Sequence, residues 1–425
     1  MRLPARRGLT VPVGASPAPD APIVTMLSDE AAVQPAPGEV LRVAPLVAAG
    51  DIVAAGAPLA RLRHAPEITL TAPMPARVAA VDLAPGRILS RILLFHEPGA
   101  DRTHLDVSGA SDAGGLRDLL LASGAWRLLR RRPFGRMPPP GERPAAIFVM
   151  AVDSRPAAPD PLRALEGAEA DLDRGLAGLA MLTDGPVLLC LPVGADPALG
   201  RGVPRLRRIE VGDGHPLGLA GMQVHALHPA RGDRPVWDLH VEDAAAIGGL
   251  LRSGSMPETR LVSVAGDALR AGRLVRTQPG AHLGALSRDL TRPGPHSVLS
   301  GSALDGHEAG FLGPRDRQVT VLVRRAAARP PHWFVAALGR ASRPRPLIPT
   351  AALEQALGGS IPAAPILRAL AAGDAETAQR LGALSLVEED LALADYVTGA
   401  VPRFSALLRV FLDRAAIEHE GAEAA

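Results

Sequence analysis

The stretch SGAWRLLRRRPFGRMPPPGERPAAIFVMAVDSRP, Ser123 to Pro156, decides how the chain is read. Leu119, Leu120, Leu121 and Trp126 form an apolar stripe at helical spacing, which predicts a helix over residues 116–129. Four arginines, Arg127, Arg130, Arg131 and Arg132, run into Pro133-Phe134-Gly135, where a regular helix stops. A proline-glycine segment, Pro138 to Gly141, precedes the apolar run Ala145 to Val152, which reads as a buried strand. Taken locally, Arg130 to Arg132 are most simply a solvated helix end that complements the helix dipole. Helix, basic turn and strand together place guanidinium groups and the Phe134 ring at the edge of a sheet.

Composition narrows the chemistry. All 46 basic residues are arginine, because the 425-residue sequence contains no lysine, and it contains no asparagine either. A phosphate-binding P-loop and a lysine Schiff base are therefore excluded, as is N-glycosylation. The single cysteine, Cys190, rules out a disulfide framework or a cysteine-ligated cluster built within this chain, and it reads as a small apolar residue of a buried strand. A formal charge of +2 and 3% aromatic residues give no footprint for nucleic acid. The basic start MRLPARRGLT lacks an apolar core, and no apolar run approaches the ~20 residues that span a bilayer. These features imply a soluble, cytoplasmic chain.

In order, Arg7 to Ala15 reads as a short strand with a turn. Residues 39–95 alternate short β runs with glycine and proline turns, among them Gly50-Asp51 and Gly56. Residues 160–181 carry leucines on one helical face, and Gly185-Pro186 ends that pattern before the strand 187–191. Helix-strand alternation here predicts an open α/β sheet. Gly212-Asp-Gly214-His215-Pro216-Leu-Gly218 is a degenerate relative of a dinucleotide loop, and Pro216 lacks an amide that a phosphate would use. His225 and His228 stand three apart, but the flanks look β-like and no acidic ligand lies nearby, so surface histidines are favoured over a metal pair. Asp243 reads as an N-cap, and Ser300 and Ser302 as turn hydroxyls without a catalytic partner. Residues 329–349 read as a proline-arginine loop. The tail is helical, with Glu388, Glu389 and Asp390 at a helix N-terminus.

Ser123, Gly124, Trp126, Arg130, Arg132, Pro133, Phe134 and Pro138, followed by Ala146, Ile147, Phe148, Val149, Ala151 and Asp153, resemble the core motif of the A subunit of the sodium-translocating NADH:quinone reductase (Nqr complex). The resemblance continues in order through HPLGLAG (215–221), Trp237 to Gly248, VLSGSAL (298–304) and a run from Pro365 to Leu393. It implies a mixed α/β multidomain chain. Residues 1–100 would be an N-terminal strand plus a biotinyl/lipoyl-like barrel-sandwich, whose turn RHAPEI offers no lysine for a prosthetic group. Residues 101–256 would be a Rossmann-like domain similar to the flavin-binding subunit of complex I, with Trp126 and Phe134 crowding the place of a glycine-rich flavin loop. Residues 257–325 would be a soluble-ligand-binding β-grasp module, and 326–425 a loop and helical region. The sequence departs from the family pattern at residues 27–39, where a different segment precedes the barrel, and between Arg324 and Pro349, which is shorter. Near Tyr396 it has Ala394 and Thr398 in place of cysteines.

The resemblance further implies a peripheral subunit on the cytoplasmic face of the bacterial inner membrane, without a redox cofactor of its own. Its partners would be the other Nqr subunits, chiefly a membrane subunit, which carry flavins and iron–sulfur centres; NADH and ubiquinone would be substrates of the complex, which exports sodium. A quinone needs an apolar slot and donors to its carbonyls: Trp126, Phe134 and Met137 would line the slot, and Arg130 or Arg132 would donate. The alternative is a non-catalytic ligand-binding or docking protein with the same fold.

Overall fold

A computed structural model describes residues 8–99, 101–196, 198–324 and 350–423. The proline-arginine stretch 329–349 lies outside the described residues. Four sheets and a set of C-terminal helices make up the mixed α/β architecture expected from the sequence. Among the described residues, no helix is long and apolar enough to cross a membrane.

The glycine-punctuated segment forms two small sheets that face each other. One has the order Glu30–Val33, Ile88–His96, Ala76–Ala84, Ile52–Val53, and the other Val43–Pro45, Pro58–Leu62, Thr69–Thr71. Their inward residues, including Leu59, Leu70 and Ile92, are fully buried. Before this half-barrel, residues 8–15 make no strand, only isolated bridges from Leu9 to His215 and from Ala15 to Gly266. The N-terminal strand comes later, at Ile23–Thr25, and pairs in parallel with Arg273–Thr277. It thereby edges a six-stranded sheet that also contains Arg260–Ala265, Gln318–Val323, His296–Ser300 and His307–Glu308.

The deciding stretch folds differently from its helical pattern. The helix Ala113–Ala122, N-capped by Asp112, ends early because Gly124 takes a left-handed turn with φ 78°. A Cβ there would sit 2.4 Å from the Thr71 hydroxyl of the barrel, which donates to the Ser123 carbonyl. A short 3-10 turn, Ala125–Leu128, follows, and then Arg130–Arg132 is a β-strand rather than a basic turn. It pairs antiparallel with Val236–His240, Asp238 standing opposite Arg130. The sheet order is Leu206–Val211, Val187–Pro192, Ala146–Met150, Val236–His240, Arg130–Arg132, all parallel except the last. Ala146–Met150 is buried at every position, as a strand with both faces covered must be.

On one face of this sheet, helix Glu169–Met181 crosses helix Val241–Ser253. The first begins nine residues later than its leucine pattern suggests, since Pro161 and Gly167 leave only a 3-10 turn at Arg163–Leu165. The crossing is made close by glycine: a Cβ on Gly175 would lie 1.9 Å from the Ala244 carbonyl oxygen, and one on Gly248 1.7 Å from that of Asp171. The second helix is capped by the His240 side chain, which accepts from the Glu242 amide, and Asp243 lies inside its first turn instead of capping it. His225 sits in helix Ala220–Leu227, not in a β context, and His228 is that helix's C-cap residue.

Because backbone atoms rather than flexible side chains fill the space at the crossing, Gly248→Ala forces the two helices apart. It is expected to cost about 1–3 kcal/mol of stability, read as a lowered midpoint in urea denaturation.

Candidate functional site

Side chains alternate along the strand Arg130–Arg132, so Arg130 and Arg132 share one face and Arg131 takes the other. On the first face Arg130 donates from Nε and Nη2 to Asp238 Oδ1 (3.0 and 2.7 Å) and from Nη2 to Glu389 Oε1 (2.8 Å). Arg132, fully buried, donates to Asp238 Oδ2 (2.7 Å), the Ser385 carbonyl (2.7 Å) and Asp390 Oδ2 (2.8 Å). Asp390 Oδ2 also accepts from the Val387 amide at 2.8 Å. The acidic trio does start a helix, Glu388–Thr398, and two of its members are also the counter-ions of the arginine strand. The local reading of Arg130 to Arg132 as a solvated helix end therefore fails. Burial would raise the Asp238 and Glu389 carboxyls, but Arg130 with Arg132, and Arg130 with Arg155, hold them below the usual carboxylate range. For Asp390 burial wins, helped by Glu389 against Arg132, and the carboxyl is pushed up.

On the other face, Arg131 pairs with Glu142 at 2.5 Å and lies 5.1 Å from the Phe134 ring centroid. Phe134 is buried, with φ 86°, its ring against His419 and its carbonyl accepting from Arg409 Nη1 at 2.9 Å. Trp126 stacks edge-on against Trp237 (centroids 5.3 Å apart) and donates to the Pro138 carbonyl at 2.8 Å.

A cavity of about 580 Å³ opens beside this network. It lies beyond the carboxyl ends of Ala146–Met150 and Val236–His240, between which the strand order reverses, the usual place for a ligand in an open α/β sheet. Five stretches of the resemblance meet in its wall. They contribute Arg130 and Asp153 from the core motif, Gly218 from HPLGLAG, Asp238 from the tryptophan strand, Leu304 from VLSGSAL and Glu389 from the tail. Gly218 and Gly221 are required by contact. A Cβ on the first would lie 2.5 Å from the Ser154 amide nitrogen, and one on the second 2.1 Å from Asp390 Oδ2.

Among the described residues, Arg130, Arg155 and Arg315 of this wall keep N–H groups without a hydrogen-bond partner, as does Arg317 at Nη1. Arg130 leaves Nη1 uncommitted. Arg155 donates from Nε to Asp153 (3.0 Å) and from Nη1 to Asp305 (3.4 Å), leaving Nη2. Arg315 makes one long bond, 3.5 Å to the Gly135 carbonyl, and no ion pair among the described residues. Burial, opposed by Glu39 and reinforced by Arg130, pulls its guanidinium below its ordinary value. Of the five residues singled out in the sequence, Arg130 lines the cavity, Arg132 braces it from behind, and Trp126, Phe134 and Met137 pack outside it. Arg155 and Arg315 were missed because neither belongs to a periodic or motif pattern.

The remaining sequence candidates are engaged elsewhere. Ser300 donates to Asp316 at 2.5 Å, and Ser302 to Asp305. His225 Nε2 lies 3.0 Å from the Leu381 carbonyl, while His228 Nε2 is 3.4 Å from Arg234, so the two do not converge. Among the described residues no group of three or more His, Cys, Asp or Glu is arranged to hold a metal ion.

The fold and site define a multidomain α/β scaffold built around one arginine-rich cavity at the carboxyl edge of a parallel sheet. Residues 111–256 match the family described as NqrA second alpha/beta domain. The A subunit of the Na(+)-translocating NADH-quinone reductase of Serratia proteamaculans is 32% identical over 98% of this chain and 99% of that protein. The Tolumonas auensis protein of the same name is also 32% identical, over the same shares. The chain belongs to this family of Na(+)-translocating NADH-quinone reductase A subunits. Among solved structures, an NAD+-reducing [NiFe]-hydrogenase chain aligns over 72% of this chain and 64% of its own at TM-score 0.39 and 16% identity, too distant to inform function.

Arg132→Met leaves Asp238 and Asp390 without their buried partner and is expected to cost about 3–5 kcal/mol, measurable as a fall in urea midpoint. The depressed carboxyls Asp238 and Glu389 contribute stability above the ordinary carboxylate range and lose it as pH falls through their folded values. Urea midpoints are expected to decline below about pH 4.5, the ordinary glutamate value. In Glu389→Gln the decline is expected to be shallower, from a lower starting stability.

Proposed function

We propose that this chain is the quinone-engaging peripheral subunit of a sodium-translocating NADH:quinone reductase, held on the cytoplasmic face of the membrane by a membrane subunit. Electrons reach the quinone from NADH through flavins and iron–sulfur centres of partner subunits, and this chain supplies no redox group itself. The observation that carries the reading is the meeting of five family-like stretches in one cavity wall.

A quinone ring carries two carbonyl oxygens that accept hydrogen bonds and gain negative charge as the ring is reduced. Arg130, Arg155 and Arg315 present charged donors with spare N–H groups, already fixed in place by Asp238, Glu389 and Asp153 or by packing. Donors oriented in advance toward developing charge stabilise it without reorganising. Arg132, Trp126, Phe134 and Met137 act behind this wall: the first fixes Asp238, and the others hold the strand and the turn that present Arg130.

Arg315→Gln is expected to lower kcat/KM for ubiquinone about tenfold, or ~1.4 kcal/mol, in the complex purified through a tag on this chain. An unchanged value rejects the cavity as the headgroup site. Recovery of the tagged wild-type chain alone and colourless from the soluble fraction, without NADH-driven quinone reduction, rejects the pump assignment and favours a non-catalytic binding protein.

A further inference from the structure

Reducing a quinone to a quinol takes two protons as well as two electrons, and the arginines of the charged cavity release no proton. Most acidic groups of its wall are ion-paired. Asp238 and Glu389 are held below the usual carboxylate range by the arginines around them. Asp153 accepts from Arg155 Nε through both oxygens, at 3.0 and 3.2 Å, and Asp243 accepts from Arg317 Nη2 at 2.7 Å. His240 also lines the cavity, but its Nδ1 accepts from the Glu242 amide, which puts the single proton of the neutral ring on Nε2. Burial, reinforced by Arg317, Arg155 and Arg260, keeps the ring from taking up a second proton. The one it holds is not available, because losing it would leave an imidazolate.

Asp305 differs. Its Oδ1 accepts from the Ser302 hydroxyl and, at 3.2 Å, from the Ser302 amide, so a tight turn fixes the carboxyl. Its Oδ2 has one long contact, 3.4 Å to Arg155 Nη1, and the side chain lines the cavity with 13% of its surface exposed. Burial pushes this carboxyl above its ordinary value, with Glu389 and Asp316 adding to the shift and Arg155 and Ser302 opposing it. Among the described residues, the carboxyls of Glu242, Asp305 and Asp390 are pushed up. Glu242 and Asp390 lie outside the cavity wall, which leaves Asp305 as the one that meets a ligand there.

We propose that Asp305 is the proton donor of the charged cavity and hands the hydrogen on Oδ2 to one carbonyl oxygen of the quinone as the ring is reduced. This rests on the quinone reading of the cavity. The two electrons come from NADH through the partner subunits. As they arrive, the Oδ2–H bond breaks and an O–H bond of the quinol forms. The Asp305 carboxylate is left beside Arg155 and Ser302, which favour the anion. Solvent returns the proton before the next turnover, and the second quinol oxygen takes its proton from water as the product leaves. Arg130, Arg155 and Arg315 stabilise negative charge on the ring, and Asp305 neutralises it.

In the purified complex, Asp305→Asn keeps an acceptor for Ser302 but has no acidic proton to give. It is expected to lower kcat for ubiquinone about a hundredfold and to leave KM little changed. The donor must be protonated to act, so wild-type kcat is expected to fall as pH rises through the folded value of Asp305, and this limb is expected to be absent from Asp305→Asn. Asp305→Glu, which keeps the acid on a longer stem, covers the case in which the Asn variant does not assemble, and it is expected to retain the limb at a displaced pH. Wild-type turnover in Asp305→Asn, a loss carried by KM alone, or a limb unmoved in either variant overturns the inference. His307, two residues on, lines the same wall. A limb removed by His307→Gln and kept by Asp305→Asn gives the role to the histidine and overturns the inference as well. The quinone reading fails by a separate result, a kcat/KM for ubiquinone indifferent to Arg315→Gln.

Discussion

Arg132 lies with no exposed surface between Asp238 on the neighbouring strand and Asp390 at the start of a helix more than 250 residues later in the chain. A guanidinium in that position is tolerable only because each of its partners is geometrically fixed: Asp238 by strand register, Asp390 by the Val387 amide. The reverse also holds, since two buried carboxylates so near the carboxyl edge of a sheet need a cation between them. The C-terminal helices are therefore attached to the parallel sheet by a charge lock with little freedom of placement. The glycine at position 221 belongs to the same lock, because the Asp390 carboxylate occupies the space a side chain would need.

The lock also sorts the arginines by availability. Arg132, deepest, is consumed by the fold. Arg130 and Arg155, nearer the cavity, share Glu389 and keep part of their donor capacity, and Arg315 keeps nearly all of it. The gradient runs from structural charge to usable charge over a single wall. The acidic residues of that wall are largely engaged with these arginines or with serine hydroxyls, which leaves a cavity rich in charge but presenting donors to its interior.

Much of this was readable in the sequence. The barrel strands, the buried strand 146–150 and the C-terminal helices follow from turn chemistry and apolar periodicity, which are local signals. The strand Arg130–Arg132 was not readable from local pattern, because three consecutive arginines carry no β signature and their extended conformation depends on pairing with Val236–His240. The early stop of the preceding helix depends equally on a distant group, the Thr71 hydroxyl beneath Gly124. Asp243 looked like a cap because caps are read from position; the cap is His240, whose ring nitrogen reaches back to the Glu242 amide. Arg130 stands in the stretch that carries the resemblance, whereas Arg155 and Arg315 join it in the cavity wall only through the tertiary structure.

The pairing of Ile23–Thr25 with Arg273–Thr277 has a mechanical consequence for the half-barrel. In swinging-arm enzymes such a module hangs from one flexible tether and travels between reaction centres. Here it is stitched down on both sides: at its start by a strand belonging to a sheet completed some 250 residues later, and at its end by the helix whose Ser123 carbonyl it binds. A body fixed at two points is a strut rather than a carrier, and it sets the spacing between the sheets on either side of it.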